Sequence, residues 1–313
     1  MHYALLLFPD FSLILIGYLL CRHTALNRPV WQAVEGLVYY FLFPVLLFQS
    51  IVRTPLDLRA ASSLMGAGLT LGITGIGLAY ALPWLPGLRG RIDTRDHAAS
   101  AQIAFRFNSF IGLALAERLA GAQGLQLIAV LIGVCVPLFN IGAVWPMARH
   151  AQRSLLGELV RNPLIIATTT GLAANLMGVA IPQWLSPTLT RIGAASIALG
   201  LMTAGAGMQM QSLLTRGKLL GASVLSIRHL LLPVVAFALA RAFALGAAES
   251  TILLTFAALP TASSCYVLAA RMGYNGPYVA GLVTLSTLLG MVSLPLALGV
   301  LNLATTVAPG NGS

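Results

Sequence analysis

The side chains best placed for chemistry lie inside two apolar stretches. The first reads Gln102-Ile103-Ala104-Phe105-Arg106-Phe107-Asn108-Ser109-Phe110-Ile111-Gly112, which sets a cation, a carboxamide and a hydroxyl at the centre of an apolar run. The second reads Leu259-Pro260-Thr261-Ala262-Ser263-Ser264-Cys265-Tyr266. Pro260 removes one helical hydrogen bond and clashes with the preceding turn. A helix broken there frees backbone groups for Thr261, Ser263, Ser264 or a ligand to satisfy. These groups are suited to holding a polar ligand, and the charge of Arg106 favours an anion. An Arg at the centre of a membrane helix is costly unless it faces a polar cavity or a partner. No Asp or Glu lies at the centre of an apolar run to pair with it. The alternative is that Arg106 snorkels or binds carbonyls released by a neighbouring break. For Asn108, Ser109, Thr261, Ser263 and Ser264 the alternative to ligand contact is interhelical hydrogen bonding, worth about 0.6 kcal/mol each.

The elements that must position these residues follow from composition. Of 313 residues, 58% are hydrophobic and 8% charged, against roughly 25% charged in an ordinary soluble domain, which excludes a water-soluble globule. The formal charge of +10 is spread between apolar stretches, as in membrane loops, and not gathered on one nucleic-acid-binding face. Cys21, Cys135 and Cys265 form no C-x-x-C pair, so neither a disulfide framework nor a zinc site is expected, and no cofactor is implied. The sequence before the first apolar run lacks the basic residues of a cleavable leader, so that run is expected to remain as a membrane helix. Cutting the chain into runs of about 20 apolar residues gives ten segments: 4–21, 33–52, 63–85, 97–117, 123–146, 161–180, 187–209, 219–243, 250–270 and 277–303. The connections are too short for a soluble catalytic domain.

One alternating set of loops holds Arg22, Arg28, Arg89, Arg91, Arg95, Arg149, Arg153, Arg161, Arg216, Lys218 and Arg271, and the other holds Arg53, Arg59, Arg118, Arg191 and Arg241. The positive-inside rule places the richer set in the cytoplasm and both termini outside a cytoplasmic, or inner, membrane. Ten spans divide into residues 1–150 and 151–313. Five spans per half make the second half enter from the opposite side, the inverted-repeat plan of many secondary transporters. Sliding one half over the other by about 157 residues lays Leu131-Ile132-Gly133 on Leu288-Leu289-Gly290 and nearly aligns Pro137 with Pro295. The fold class is therefore all-α integral membrane, with ten helices in two inverted five-helix repeats and breaks in spans four and nine.

Other polar positions are less telling. Glu35 reads as a proton carrier or, more simply, an interfacial charge. His229, beside Arg228 in span eight, is either a group titrating near neutrality or part of a pair reaching the cytoplasmic interface. Pro44 marks a kink in span two. The glycines of 66–77 and 200–207 read as close helix packing.

The residues quoted above resemble the auxin efflux carrier family, which includes plant auxin exporters and bacterial carriers assigned to malonate or malate. Phe41-Leu42-Phe43-Pro44-Val45-Leu46-Leu47-Phe48 is similar to its second span, and Arg161-Asn162-Pro163-Leu164-Ile165-Ile166-Ala167 with Gly171 to the start of its sixth. Pro260 followed by Ser263, Val267, Leu268, Ala269 and Gly273 is similar to its ninth, and Ser286-Thr287-Leu288-Leu289 with Leu294-Pro295-Leu296 to its tenth. The resemblance implies a ten-span carrier in which two crossing, broken helices hold the substrate, a scaffold of spans one, two, six and seven, and a homodimer. Asn108, Gly112 and Pro260 match the family's motif residues. Where the family often has Pro two residues after that Gly, this chain has Ala114, which predicts a less sharp break in span four. Arg106 is outside the matched motif.

The expected function is a secondary carrier of a small organic anion, a carboxylate such as a dicarboxylate or auxin-like acid, working in efflux from a midplane site. Its expected partners are that anion and the lipid bilayer, without nucleic acid. The substrate-binding candidates are Arg106, Asn108, Ser109, Gly112, Pro260, Thr261, Ser263 and Ser264. A sodium-coupled organic-anion symporter, similar to bile-acid carriers, is the alternative within transport, and a channel or passive scaffold is another. An intramembrane enzyme is the alternative of another class. Against it, the chain has no G-x-S-x-G elbow, H-E-x-x-H motif or intramembrane Asp pair, and no G-x-x-x-x-G-K-[ST] loop for ATP.

Overall fold

The computed structural model describes residues 2–53, 58–148, 163–208, 218–262 and 264–306, and among them every regular element is helical. In chain order these are α1 (His2–His23), α2 (Arg28–Arg53), α3 (Leu58–Ala81), α4a (Thr94–Ser100 continuing into Gln102–Phe105), α4b (109–119), α5 (122–148), α6 (Pro163–Leu176), α7 (Ser186–Ala206), α8 (Lys218–Ala242), α9a (Ala247–Ala258), α9b (Ser264–Arg271) and α10 (Gly276–Thr306). Ala101 keeps helical dihedral angles, so α4a is one rod. Gly121, at φ +55°, turns the chain from α4b into α5, a conformation L side chains rarely adopt.

Among the described residues, six helical stretches, 28–53, 62–84, 94–144, 186–206, 218–242 and 276–299, are long and apolar enough to cross a membrane. Their outer faces carry large apolar side chains such as Ile73, Leu230, Val234 and Leu296, each at least 61% exposed. The protein is thus a multi-pass helical membrane protein. The basic residues Arg149, Arg153, Arg161 and Arg216, on which much of the loop-charge argument rests, lie outside the described residues, as do Ser263 and the Arg161-Asn162 part of the sixth-span motif.

Two helices contain a π turn just ahead of a proline. Val38–Leu42 precedes Pro44 and Ile227–Leu231 precedes Pro233. In each, the residue before the proline donates its N–H five residues back, from Phe43 to Val38 and from Leu232 to Ile227. A proline offers no N–H and crowds the carbonyl four residues earlier. The wider turn relieves both problems while keeping the helix continuous. The kink expected at Pro44 takes this form. In α8 the turn consists of Ile-Arg-His-Leu-Leu, which brings Arg228 and His229 inward.

Helix contacts fall into two groups. In one, α1 packs on α7 and α2 on α6. Backbones touch at the first of these crossings: a Cβ on Gly17 would lie 2.0 Å from the Met202 carbonyl oxygen, and one on Gly205 would lie 1.7 Å from that of Ile14. In the other group α3 packs on α5, α8 on α9a, and both pieces of α9 on α10. A block of aromatic rings fills the core of this second group. Phe107 lies 4.4 Å from Phe256 and 5.9 Å from Phe139, at tilted and edge-on angles, and Phe105 lies 5.7 Å from Phe139. Phe43 of α2 meets Phe110 of α4b at 4.6 Å, where the groups adjoin.

Candidate functional site: a cationic cavity where two helices break

Both candidate stretches interrupt their helices. Arg106 is extended (φ −73°, ψ 149°), and residues 106–108 separate α4a from α4b. No proline causes this break, and Ala114 sits well inside α4b. Asn108 makes the break stable by serving as the N-cap of α4b. Its Oδ1 accepts hydrogen bonds from the N–H groups of Phe110 (3.0 Å) and Ile111 (3.3 Å), and its carbonyl accepts from Gly112 N–H at 3.0 Å. A cap of this kind stabilises a helix by about 1 kcal/mol. In the other stretch Leu259 leaves the helix (ψ 144°), and α9b restarts at Ser264.

The two breaks are bonded to each other. Asn108 N–H donates to the Pro260 carbonyl at 2.8 Å, and Thr261 N–H donates to Ser286 Oγ of α10 at 2.9 Å. Close packing holds them in place. A Cβ on Gly112 would meet Leu259 Cδ1 at 2.9 Å, and one on Gly290 would meet Pro260 Cγ at 2.5 Å. Ser286 continues into a buried chain: it bonds His229 Nε2 at 2.8 Å, and His229 Nδ1 reaches Ser293 Oγ at 2.8 Å. Arg228 and His229 are 1% and 6% exposed, so the reading that this pair reaches the membrane interface is corrected. The π turn ahead of Pro233 is what turns them into the core.

Beside this crossover lies a cavity of about 580 Å³. Its walls come from both helix groups. Arg28, Gln32, Glu35 and Tyr39 contribute from α2, Arg106, Asn108 and Ser109 from the first break, Asn140 from α5, and Ala262, Ser264 and Tyr266 from the second. Of the sequence-derived candidates, Arg106, Asn108, Ser109 and Ser264 line the cavity. Gly112, Pro260 and Thr261 do not; they are buried in the crossover that shapes it, with Thr261 Oγ1 3.6 Å from Cys265 Sγ. Ser263 is outside the described residues.

Arg106 is steered into the cavity by neutral oxygens. Its Nη1 donates to Gln102 Oε1 at 3.0 Å and its Nη2 to Asn140 Oδ1 at 3.4 Å. Gln102 is fully buried and anchored in turn, donating to the carbonyls of Ala99 and Cys265 at 2.9 and 3.1 Å. Among the described residues no carboxylate lies within salt-bridge distance of Arg106. A second guanidinium, that of Arg28, faces the same space. Its Nη2 donates to Tyr266 Oη and lies 3.4 Å from Glu35 Oε2, whereas its Nη1 is buried without a hydrogen-bond partner among the described residues.

The cavity therefore holds two guanidinium groups against one carboxylate. The N-terminal ends of α4b and α9b add their positive partial charge. Asn108 Nδ2 is a further donor, since Oδ1 is used by the cap. This assembly of donors is complementary to an anion of modest size.

Sequence reasoning missed Arg28, Gln102, Asn140 and Tyr266. Arg28 was legible in principle: Asn27 stands at the N-cap position of α2 and Pro29 in its first turn, which start the helix ahead of the apolar run.

Comparison with known proteins gives the class. A family model described as membrane transport protein matches residues 144–298, from the end of α5 through most of α10. Over 289 residues the chain is 25% identical to an uncharacterized transporter of Methanothermobacter thermautotrophicus, covering 91% of this chain and 93% of that one. Both matches support a membrane transporter and not an enzyme.

Proposed function

We propose that the protein is a secondary carrier that exports a small organic anion, a mono- or dicarboxylate, across the cytoplasmic membrane. The observation that carries this reading is the cavity at the crossover, where Arg28, Arg106 and two half-helix N-termini converge and Arg28 Nη1 has no partner among the described residues. Its volume suits a small metabolite. A carboxylate bound there would take bidentate hydrogen bonds from a guanidinium.

Transport follows from where the walls come from. The anion would sit between α2, in the group of α1, α2, α6 and α7, and the broken helices of the other group. Rocking one group against the other exposes such a site to each side in turn. In this reading the chain has ten spans in two inverted repeats, 1–150 and 151–313, with both termini outside and two copies forming a homodimer. Arg28 belongs to the loop set that the positive-inside rule assigns to the cytoplasm, which favours loading from the cytoplasm, as export requires.

Purified protein should rise in Tm on addition of one class within a panel of mono- and dicarboxylates, because a ligand of the folded state stabilises by mass action. At a concentration of about 100 Kd the expected gain is about 2.7 kcal/mol. A panel in which no carboxylate shifts the melting curve, while neutral or cationic solutes do, would end the anion assignment.

A further inference from the structure

Arg228, a buried charged group, has no part in the transport reading above. Arg228 is 1% exposed in the π turn of α8, and no carboxylate lies within salt-bridge distance of it among the described residues. A buried cation without compensation is prohibitive, so its partners must supply the balance. They are all backbone carbonyls at helix C-termini. Nε donates to Leu259 O at 2.6 Å, Nη2 to Phe256 O at 3.0 Å and Nη1 reaches Phe105 O at 3.5 Å.

Each acceptor is there for a reason. Phe256 would ordinarily be bonded by the N–H of residue 260, but residue 260 is proline and has none. Leu259 has left the helix, so its carbonyl points away from α9a. Phe105 is the last helical residue of α4a before the first break. The C-terminal end of each half-helix also carries about half a negative charge. One guanidinium thus bonds the ends of both α4a and α9a.

In transporters built on broken helices, such unwound carbonyls and half-helix C-termini are where a dissociable coupling cation binds. We propose that Arg228 is a resident counter-cation at that position. Its fixed charge does what a bound sodium ion does elsewhere: it neutralises both C-terminal ends and locks the two breaks into one rigid unit, so the carrier cycle has no sodium step at the crossover. Arg228 is a positioning residue, acting on the substrate through the geometry of Asn108 and Pro260. The role in transport rests on the carrier reading above; the structural role can be tested without a substrate.

The experiment compares melting curves and carboxylate exchange for wild type, Arg228→Ala and Arg228→Lys, in sodium chloride, choline chloride, and choline chloride with millimolar methylguanidinium. The wild type should give the same Tm and exchange rate in sodium and choline. Arg228→Ala should melt lower and exchange at least roughly tenfold more slowly, the loss expected for one charge-assisted hydrogen bond, with methylguanidinium restoring both in part. Arg228→Lys should fall between, since one ammonium cannot span three carbonyls in a planar fork. A sodium requirement in the wild type, an Arg228→Ala protein indistinguishable from wild type, or a destabilised one that no cation rescues would each overturn the proposal. Methylguanidinium rescue of stability in a protein that answers to no carboxylate would instead remove the anion reading and leave the role of Arg228 standing.

Discussion

Arg106→Gln should weaken binding of the transported anion by roughly 30- to 5,000-fold, the range that corresponds to losing one partner of a desolvated, hydrogen-bonded charge pair. Glutamine retains amide groups that can replace the bonds to Gln102 and Asn140, which hold Arg106 in place at 3.0 and 3.4 Å. The fold should therefore survive, with a Tm close to wild type, while the anion-dependent rise in Tm disappears. Arg106→Lys should keep part of the affinity, because it preserves the charge but not the bidentate fork. The loss should deepen at low ionic strength less than a surface charge would predict, since the cavity is partly shielded from counterions. Unchanged affinity in Arg106→Gln would mean that Arg106 serves the break itself and that Arg28 alone provides the charge.

Asn108→Ala should abolish exchange. The side chain has two functions that this substitution removes together. It caps α4b through the N–H groups of Phe110 and Ile111, and the residue lines the cavity. Losing the cap should cost about 0.5–2 kcal/mol of stability and let the first turn of α4b fray into the binding space. Asn108→Asp separates the functions. Aspartate caps a helix as well as asparagine, so this protein should melt near wild type. It nevertheless places a carboxylate where the anion binds, and exchange should fall to background. Wild-type exchange in Asn108→Ala, measured on protein that inserts and purifies normally, would contradict the site assignment.

How much of this could be read from the sequence differs from residue to residue, for physical reasons. The ninth-span break was legible because proline announces it: the missing N–H of Pro260 follows from the residue type alone. The fourth-span break was legible only as a cluster of polar residues, since its cause is a cap, and Asn108 is recognised as a cap only once the chain is seen to turn there. Arg106 stood out as a charge in an apolar run, yet the residues that aim it, Gln102 and Asn140, are separated from each other by more than a helix and meet only in three dimensions. Arg28 was placed in a loop because a hydropathy window discounts a polar first turn, although Asn27 and Pro29 mark the true start of α2. The burial of Arg228 was not legible, and an interface position was among the alternatives for it, because all its partners are backbone carbonyls, and any residue supplies a carbonyl. Pro44 and Pro233 signalled irregular helices, but the π turns they produce, and the inward rotation of Arg228 and His229, depend on packing that a linear pattern does not encode.

Exchange in proteoliposomes separates a carrier with its anion site at the crossover from a passive pathway. Vesicles loaded with an unlabelled carboxylate that raises the Tm, then diluted into a trace of the same compound carrying a label, should accumulate the label transiently, saturate with external concentration, and fail to do so with Arg106→Gln. Transient accumulation arises only when one site is exposed to the two sides alternately. Uptake that rises linearly with concentration and never exceeds equilibrium, or that is unchanged in Arg106→Gln, would contradict a carrier with its anion site at the crossover.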